Sequence, residues 1–202
     1  MLVTFEGIDG CGKTTQIKLL QDALVDLGLE PLLTKQPGGT EIGVKIRALL
    51  LDRANAAMCA ETELLLYMAD RMQHLSEVIK PAIGSGQLVL CDRFHDATIA
   101  YQGGGRGLDL SWLKPLEAKM ITPSLTFFFH ISPEVSKERI HLRGEELCRL
   151  EAEEKSFFER VNQGYLDLAQ GSPNRFVVID AEQPIATVHQ AVLSKVMKLI
   201  ES

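Results

Sequence analysis

Basic residues are in the minority in this chain, and long apolar runs are missing. It carries 21 Lys and Arg against 27 Asp and Glu, a formal net charge of −6. An acidic protein has no general attraction for the phosphate backbone of nucleic acids, so we expect no nucleic-acid partner. No apolar stretch approaches the roughly 20 residues that span a bilayer, so we expect no membrane partner either.

Cysteines are few, and their spacing is not that of a metal or disulfide framework. The four, Cys11, Cys59, Cys91 and Cys148, form no C-x-x-C pair, and no histidine lies at a zinc-like offset from them. We therefore expect reduced thiols. Residues 1–6 lack the basic start and the long apolar stretch of a signal peptide, which favours a cytoplasmic protein.

Short apolar runs alternate with segments of helical periodicity along the whole chain. The runs predicted as strands are 3–5, 31–34, 88–91, 125–131 and 176–179. The segments predicted as helices are 13–27, 41–51, 61–83 (with a bend or an end at Pro81), 111–121, 133–142, 151–169 and 184–200. This alternation predicts an α/β fold, in which a mostly parallel five-stranded sheet has helices on both faces. The length, 202 residues, suits a single domain over 1–202.

The first strand ends in a glycine-rich turn, residues 7–14, that matches G-x-x-x-x-G-K-[ST] in full. Glycines let backbone N–H groups converge on phosphate oxygens, and the following helix adds its positive N-terminal end. Lys13 is expected to reach the β- and γ-phosphates of a nucleotide, and the Thr14 hydroxyl to bind Mg²⁺. The predicted nucleotide site is Gly7, Ile8, Asp9, Gly10, Cys11, Gly12, Lys13, Thr14 and Thr15. The motif alone does not separate kinases from hydrolases or switches.

The strand at 88–91 is followed by Asp92 and Arg93. An acid at this strand tip can join Thr14 in the magnesium site, and an arginine beside it can bind a phosphate through two nitrogens; the alternative is a plain surface ion pair. Transfer to an alcohol generally needs a base, whereas a phosphate acceptor is already ionised and needs positive charge and alignment. The candidate cations are Lys13, Arg71, Arg93 and Arg149. No base is compelling, although Asp9 or Asp96 could serve, and this favours a phosphate acceptor.

Together with these residues, four stretches make the sequence resemble the thymidylate kinase family over nearly its whole length. They are FEGIDGCGKTT at 5–15, QPGGT at 36–40, DR at 92–93 with AYQGGGRG at 100–107, and RGEELCR at 143–149. The resemblance implies a three-layer P-loop kinase fold with a lid at about 143–150. It also implies transfer of the γ-phosphoryl group of ATP, with Mg²⁺, to thymidine monophosphate (dTMP), for the supply of dTTP. Members of the family are usually homodimers.

The resemblance further implies roles at one end of the acceptor site. Asp9, inside the phosphate loop, would accept a hydrogen bond from the 3′-hydroxyl of the sugar, and Arg93 would grip the acceptor phosphate. Tyr67 falls where the family usually has a phenylalanine that stacks on thymine. Arg71, four residues on and therefore on the same helix face, would bond O4 of the base.

Three more residues complete the acceptor site that the resemblance implies. Tyr101 would lie under the sugar and disfavour a 2′-hydroxyl, Gln102 would help to read the base edge, and Pro37 lies in the QPGGT stretch. Structural alternatives exist for these positions: Tyr67 could be a core residue, Arg71 a solvated helix charge, and Tyr101 a packing anchor for a flexible, glycine-rich loop.

No arginine stands at the variable positions of the phosphate loop, where Asp9 and Cys11 lie. Family members of this kind supply basic residues from the lid, and the candidates here are Arg143 and Arg149. We favour Arg149, which aligns with the lid arginine; alternatively it pairs with the glutamate at 151 or 153. An arginine that arrives on closure would neutralise charge only in the closed complex. The predicted catalytic residues are Lys13, Arg93, Arg149 and Asp9.

Three positions depart from the family's pattern. Lys35 and Gln36 replace the usual Arg-Glu, and Ala97 replaces a common serine. These changes bear on how tightly and how selectively the acceptor is bound, more than on the type of reaction. A methyl group in an apolar pocket discriminates by only ~1–3 kcal/mol, so a kinase for another monophosphate, such as dUMP, is an alternative. A nucleotide-binding module without phosphoryl transfer is another, although such a module needs no second nucleotide site.

Overall fold

The computed structural model describes residues 1–144 and 146–201, and in this part of the chain all five strands form one parallel sheet. The strands are β1 (Leu2–Glu6), β2 (Leu32–Lys35), β3 (Val89–Asp92), β4 (Leu125–His130) and β5 (Phe176–Asp180), in the order β2-β3-β1-β4-β5. In the central strand, Phe5 pairs with Asp92 on one side and Phe127 on the other. The predicted parallel sheet is confirmed.

Helices occupy the connections between the strands. They are α1 (Lys13–Asp26), α2 (Glu41–Leu51), α3 (Ala60–His74), α4 (Lys80–Gly84), α5 (His95–Thr98), α6 (Lys114–Glu117), α7 (Pro133–Leu142), α8 (Lys155–Gly171) and α9 (Ile185–Ile200). Short 3₁₀ turns lie at Arg53–Asn55 and Ser111–Leu113, and π-helical turns at Leu75–Ile79 and Ile99–Gly105. Across the described residues, no helix combines the length and apolar character that a bilayer crossing requires.

The apolar core lies on both faces of the sheet, because successive residues of a strand point to opposite sides. Phe5 packs into a large cluster shared by β4, α1, α8 and α9. On the opposite face, Leu2 of the same strand packs with Val89 of β3 and with Leu75 and Ile79 of the helical segment before β3. The prediction of helices on both faces is therefore confirmed.

The predicted helix over 61–83 changes its hydrogen bonding before Pro81. It runs as α3 to His74, widens into the π-helical turn Leu75–Ile79, and resumes as α4 with Pro81 near its start. Proline has no N–H and its ring clashes with the preceding turn of a regular helix, and a wider turn there accommodates both.

Two predicted helices are shorter than expected. The segment 111–121 forms only a 3₁₀ turn and the single turn α6. The helix predicted from residue 151 begins at Lys155, because Glu154 is extended and the Glu151 carboxylate accepts hydrogen bonds from Cys148 N and Arg143.

Residues 95–105, for which no helix was predicted, are helical throughout as α5 and the following π-helical turn. Glycines allow this segment to approach α8 closely. A Cβ at Gly105 would lie 2.6 Å from Cε2 of Phe157, and a Cβ at Gly164 would lie 3.0 Å from Cα of Ala100. The glycines therefore serve close packing rather than flexibility, and they fix the backbone that carries Tyr101.

Candidate active site

The phosphate loop connects the end of β1 to the start of α1, at the carboxyl edge of the sheet. Gly7, Gly10 and Gly12 have φ angles of 136°, 76° and 91°, in the region that favours glycine. A Cβ at Gly7 would also meet Phe129 O at 2.5 Å. The residues predicted to bind the nucleotide phosphates thus form one continuous turn around the N-terminal end of α1, which is suited to an anion.

Lys13 lies inside this loop. Its Nζ donates to Gly7 O at 3.0 Å and to Ile8 O at 3.1 Å, and it lies 3.4 Å from Cys11 Sγ. The side chain is almost fully buried. The backbone carbonyls therefore hold the ammonium group at the centre of the turn, where it faces any phosphate bound by the loop.

Thr14 and Asp92 come together at the mouth of the loop. The Thr14 hydroxyl, in the first turn of α1, donates at 3.4 Å to Oδ2 of Asp92, at the end of β3. Hydroxyl and carboxylate oxygens suit Mg²⁺, which usually completes its shell with water and substrate phosphates. Within residues 1–144 and 146–201, no group of three or more His, Cys, Asp or Glu side chains could hold a metal. A magnesium ion at Thr14 and Asp92 would therefore depend on the nucleotide for further ligands.

Helix α7 supports the loop from outside, which the sequence did not reveal. Ser136 Oγ donates to Asp9 O at 2.7 Å, and Arg139 Nη1 donates to Gly10 O at 3.4 Å and to Ala181 O at 3.1 Å. The spacing of three residues places both side chains on one face of α7, but nothing in the sequence indicates that this face meets the loop. The loop is thus fixed by a helix more than 120 positions away.

A cavity of ≈ 300 Å³ lies on this side of the loop. It is lined by Gly10, Cys11, Gly12, Thr15, Gln16, Arg139, Ala181, Gln183, Ile185 and Val188. Its rim at α9 is tied to α1 by a 3.0 Å hydrogen bond from Gln16 Nε2 to Ile185 O.

A second cavity, of ≈ 270 Å³, lies on the other side of Asp9. All the residues predicted for the acceptor site line it: Asp9, Pro37, Tyr67, Arg71, Arg93, Tyr101 and Gln102. Of the three positions that depart from the family pattern, Gln36 and Ala97 also line this cavity, whereas Lys35 is exposed. The two cavities flank the phosphate loop, as two substrates that exchange a phosphoryl group require.

Arg93 lines the acceptor cavity and lies on the turn after β3. It has φ 66°, a left-handed conformation that is uncommon outside glycine. Its Nη2 donates to Asp9 Oδ1 at 2.8 Å, and its guanidinium carbon lies 4.9 Å from the ring centre of Tyr101. The buried Nη1 has no hydrogen-bond partner in the part of the chain that the structure describes. One nitrogen is therefore anchored, and the other is available to an anion in the cavity.

The charges around Asp9 decide whether it can act as a base. Burial opposes its ionisation, but the cations Arg93 and Lys13 outweigh burial and lower the pKa of the carboxyl below its usual value. Asp9 is thus a hydrogen-bond acceptor and a weak base. The other candidate base, Asp96, is bound on both oxygens by Arg175 at 2.7 and 2.8 Å, and this ion pair leaves it no role as a base.

Glu6, which sequence reasoning missed, supports the turn that carries Arg93. Phe94 N donates to Glu6 Oε1 at 2.6 Å, and the Tyr165 hydroxyl donates to Oε2 at 2.7 Å. Burial, together with the charge of Asp96, raises the pKa of the Glu6 carboxyl to about 8. The sequence contained one signal for this role: the apolar strand β1 ends in a carboxyl group, Glu6.

The far end of the acceptor cavity is formed by polar side chains that hold one another in place. Arg71 is buried, donating from Nε to Gln36 Oε1 at 2.8 Å and from Nη1 to the Thr98 hydroxyl. Gln102 Nε2 donates to Glu63 Oε1 at 2.9 Å. Arg71 is therefore part of the cavity and not a solvated charge.

The predicted lid, about 143–150, includes position 145, which lies outside the described residues. Arg149 is buried against the body of the protein, where it donates to Leu50 O at 2.8 Å and to Glu63 Oε2 at 2.6 Å. The arginines that line the acceptor cavity are Arg47, Arg71, Arg93 and Arg143. The structure thus does not bring Arg149 to the phosphate loop, because a buried ion pair holds it elsewhere.

Of the two arginines in the predicted lid, Arg143 lines the cavity, and it lies close enough to Asp9 to help lower the pKa of that carboxyl. Its Nη2 is 2.5 Å from Glu151 Oε1. The two glutamates given as alternative partners of Arg149 are engaged by other arginines: Glu151 pairs with Arg143, and Glu153 with Arg106 at 2.7 Å.

Comparisons with known proteins agree with this geometry. The family described as "Thymidylate kinase" matches residues 5–192. The chain is similar to the thymidylate kinases of Geotalea daltonii (47% identity, covering 96% of this chain and 95% of that protein) and Desulfosudis oleivorans (48%, covering 93% and 92%). It is also similar to the crystal structure of thymidylate kinase from Ehrlichia chaffeensis, with a TM-score of 0.78, 34% identity and 98% of each chain covered.

Proposed function

Because the chain belongs to the thymidylate kinase family, we propose a division of labour among the described residues for the reaction of that family. The enzyme transfers the γ-phosphoryl group of ATP to dTMP, which yields ADP and dTDP for dTTP synthesis. The observation that carries the assignment of sites is the pair of cavities on either side of the phosphate loop, with Arg93 in the acceptor cavity and bonded to Asp9 of the loop.

ATP binds with its phosphates in the loop and its nucleoside in the cavity beside α7 and α9. The backbone of residues 7–14 and the N-terminal end of α1 hold the β- and γ-phosphates, and Lys13 adds a positive charge. With the nucleoside on that side of the loop, the γ-phosphate faces Asp9 and Arg93, towards the acceptor cavity. Ser136 and Arg139 keep the loop in the shape that the phosphates require.

Magnesium is held by the Thr14 hydroxyl and the Asp92 carboxylate, which lie 3.4 Å apart. When bound, the ion neutralises phosphate charge. Asp92 ends β3, and Thr14 lies in the first turn of α1, directly after the loop that follows β1, so the backbone sets their separation.

The acceptor dTMP occupies the cavity of ≈ 270 Å³, with its phosphate towards the loop. Arg93 Nη1 binds that phosphate while Nη2 keeps its bond to Asp9, whose carboxylate also accepts from the 3′-hydroxyl. The Tyr101 ring lies against the guanidinium and supports the sugar. The base reaches Tyr67, Arg71 and Gln102 at the far end.

Catalysis requires positioning and charge rather than a base, because the attacking phosphate oxygen is already ionised at neutral pH. Lys13 and Arg93 supply fixed positive charge on the two sides of the transferred group. Arg143 supplies charge from the lid, and its position in the acceptor cavity supports this role over Arg149. Arg149 instead ties the lid to Glu63.

The experiment that tests the proposal is an ADP-release assay with ATP, Mg²⁺ and a panel of nucleoside monophosphates. We expect dTMP to be the best acceptor and dUMP a slower one, and Arg93→Ala to abolish the stimulation. A different best acceptor would overturn the acceptor assignment. A chain that binds ATP but is stimulated by no monophosphate would be a nucleotide-binding module instead.

We also propose that the chain is one domain that works as a homodimer in the cytoplasm, where ATP and dTMP are available. Ile42 and Leu49, seven residues apart on one face of α2, are each 50% exposed, and Leu65 on the adjacent α3 is 51% exposed. A second copy would cover this apolar face. Sedimentation velocity should give a dimer, and Ile42→Glu should give a monomer; a monomeric wild type would contradict the proposal.

A further inference from the structure

A chain of buried hydrogen bonds leads from the edge strand β2 to the base end of the acceptor cavity. The Thr34 hydroxyl lies 2.5 Å from His74 Nε2, and His74 Nδ1 lies 2.8 Å from Gln36 Nε2. Gln36 Oε1 then accepts from Arg71 Nε at 2.8 Å. His74 is fully buried and does not line the cavity, whereas Gln36 and Arg71 do.

The chemistry of these groups permits one arrangement of donors and acceptors. Arg71 can only donate, so Gln36 must turn its carbonyl oxygen towards it. The amide NH₂ of Gln36 then faces His74 Nδ1, which must accept. His74 is therefore neutral, with its proton on Nε2, and donates to the hydroxyl of Thr34. Burial and the charge of Arg71 favour this state by lowering the pKa of His74 to about 4.

The backbone holds the imidazole in this position. His74 is the last residue of α3 before the π-helical turn, and the loop after β2 passes directly over its ring. A Cβ at Gly39 would lie 2.4 Å from His74 Nε2, so only glycine leaves room for the ring. One turn earlier, Asp70 Oδ1 accepts from Gly38 N at 2.9 Å and docks the same loop on α3.

We propose that His74 is a positioning residue for the acceptor base: as an obligatory hydrogen-bond acceptor it orients the Gln36 amide, and Gln36 in turn orients Arg71. The inference rests on the proposed function, since it assigns Arg71 to the base of dTMP. His74 touches neither substrate.

Loss of the acceptor at His74 has a specific effect. The Gln36 NH₂ is then buried without an acceptor, and the amide is held only by its bond to Arg71. The amide shifts to find another partner for its NH₂, and Arg71 loses the partner that fixes it. The base end of the cavity is disturbed, while Lys13 and Arg93 at the phosphate end keep their contacts.

The test compares His74→Leu with the double variant His74→Leu/Gln36→Glu. A carboxylate has no N–H that needs an acceptor and presents an oxygen to Arg71 in either orientation, so the double variant no longer needs His74. We expect His74→Leu to raise the KM for dTMP about tenfold, with kcat within about twofold and the KM for ATP unchanged. The double variant should return the KM for dTMP to within about threefold of the wild type. His141→Leu, an exposed histidine on α7, is the matched control and should change neither KM.

Two results would overturn the inference: an unchanged KM for dTMP in His74→Leu, or a double variant as impaired as the single one. A merely structural role predicts the second result, since Gln36→Glu does not refill the space of the imidazole. If His74→Leu does not fold, ¹⁵N spectra of histidine-labelled wild type decide, with a proton on Nε2 of His74 expected and a proton on Nδ1 contradicting us. Failure of the proposed function would appear differently, as a wild type that does not phosphorylate dTMP.

Discussion

Arg93 donates a 2.8 Å hydrogen bond from Nη2 to Asp9 Oδ1, and this bond joins the turn after β3 to the phosphate loop after β1. The two residues are 84 positions apart, but their strands are neighbours in the sheet, with Phe5 paired to Asp92. Both residues line the acceptor cavity, so the ion pair ties that cavity to the phosphate loop. Substitutions in and around this site should therefore differ in whether they affect activity or stability.

Removal of Arg93 should abolish most phosphoryl transfer. We expect Arg93→Ala to lower kcat/KM for dTMP by about 10³-fold, in the range of other losses of fixed transition-state charge. Arg93→Lys keeps the charge but cannot hold Asp9 and a phosphate with two nitrogens, and should remain at least about tenfold below the wild type. Steady-state kinetics with varied dTMP measure both. The matched control is Arg175→Lys, which changes an arginine engaged with Asp96; a loss as large there would mean that the effect is not specific to Arg93.

The two arginines of the predicted lid should affect different properties: Arg143 the turnover rate and Arg149 the stability of the fold. Arg143→Ala should lower kcat about tenfold and lower the free energy of unfolding by less than ~1 kcal/mol, because the Arg143 side chain in its ion pair with Glu151 is 40% exposed. Arg149→Ala should lower the free energy of unfolding by ~1–3 kcal/mol, because it removes a bond to buried Glu63 while Arg106 and Gln102 remain. Urea unfolding and single-turnover kinetics distinguish the two. A loss of kcat without loss of stability in Arg149→Ala would return the catalytic role to Arg149.

Stability should depend on pH through Glu6. Its pKa is raised from 4.5 to about 8, so the folded state holds a proton that the unfolded state releases above pH 4.5. The stabilisation is complete below pH 4.5 and is lost as pH rises through 8, at up to ~1.4 kcal/mol per pH unit. Glu6→Gln, which does not titrate, should therefore gain stability relative to the wild type between pH 5 and 8. Urea unfolding across this range should show the difference growing with pH; a constant difference would contradict the expectation.

The close contact between α8 and the segment before it should be intolerant of a single methyl group. Gly105→Ala would place a Cβ 2.6 Å from the Phe157 ring, and we expect a loss of ~1–3 kcal/mol in the free energy of unfolding. Gly171→Ala, at the end of α8 with nothing within 4 Å of the new Cβ, should instead be neutral or stabilising. Thermal or urea unfolding compares them, and equal effects would show that packing is not the cause.

The residues that the sequence identified share a property: each is recognisable from its immediate neighbours. The phosphate loop is a contiguous motif, and Asp92 and Arg93 directly follow an apolar strand. The family resemblance added Tyr67, Arg71 and the residues after Ala100, and all the residues predicted for the acceptor site line one cavity.

The features that were missed depend on partners far along the chain. Ser136 meets Asp9 across 127 positions, and Glu63 meets Arg149 across 86. The glycines at 103–105 are typical of a turn, and only the approach of α8 explains a helix there. The RGEELCR stretch identified Arg149 as the lid arginine, but it could not indicate that the distant carboxylate of Glu63 binds that side chain.

The central place of β1 has a consequence for the chain during its synthesis. β1 leaves the ribosome first, yet its partners are β3 and β4, which end at Asp92 and His130. The phosphate loop is therefore complete in sequence long before Arg93, Ser136 and Arg139 exist to hold it. A nascent chain stalled before β4 has emerged should not retain nucleotide, and binding activity should appear only once α9, which lines the nucleotide cavity, has left the exit tunnel.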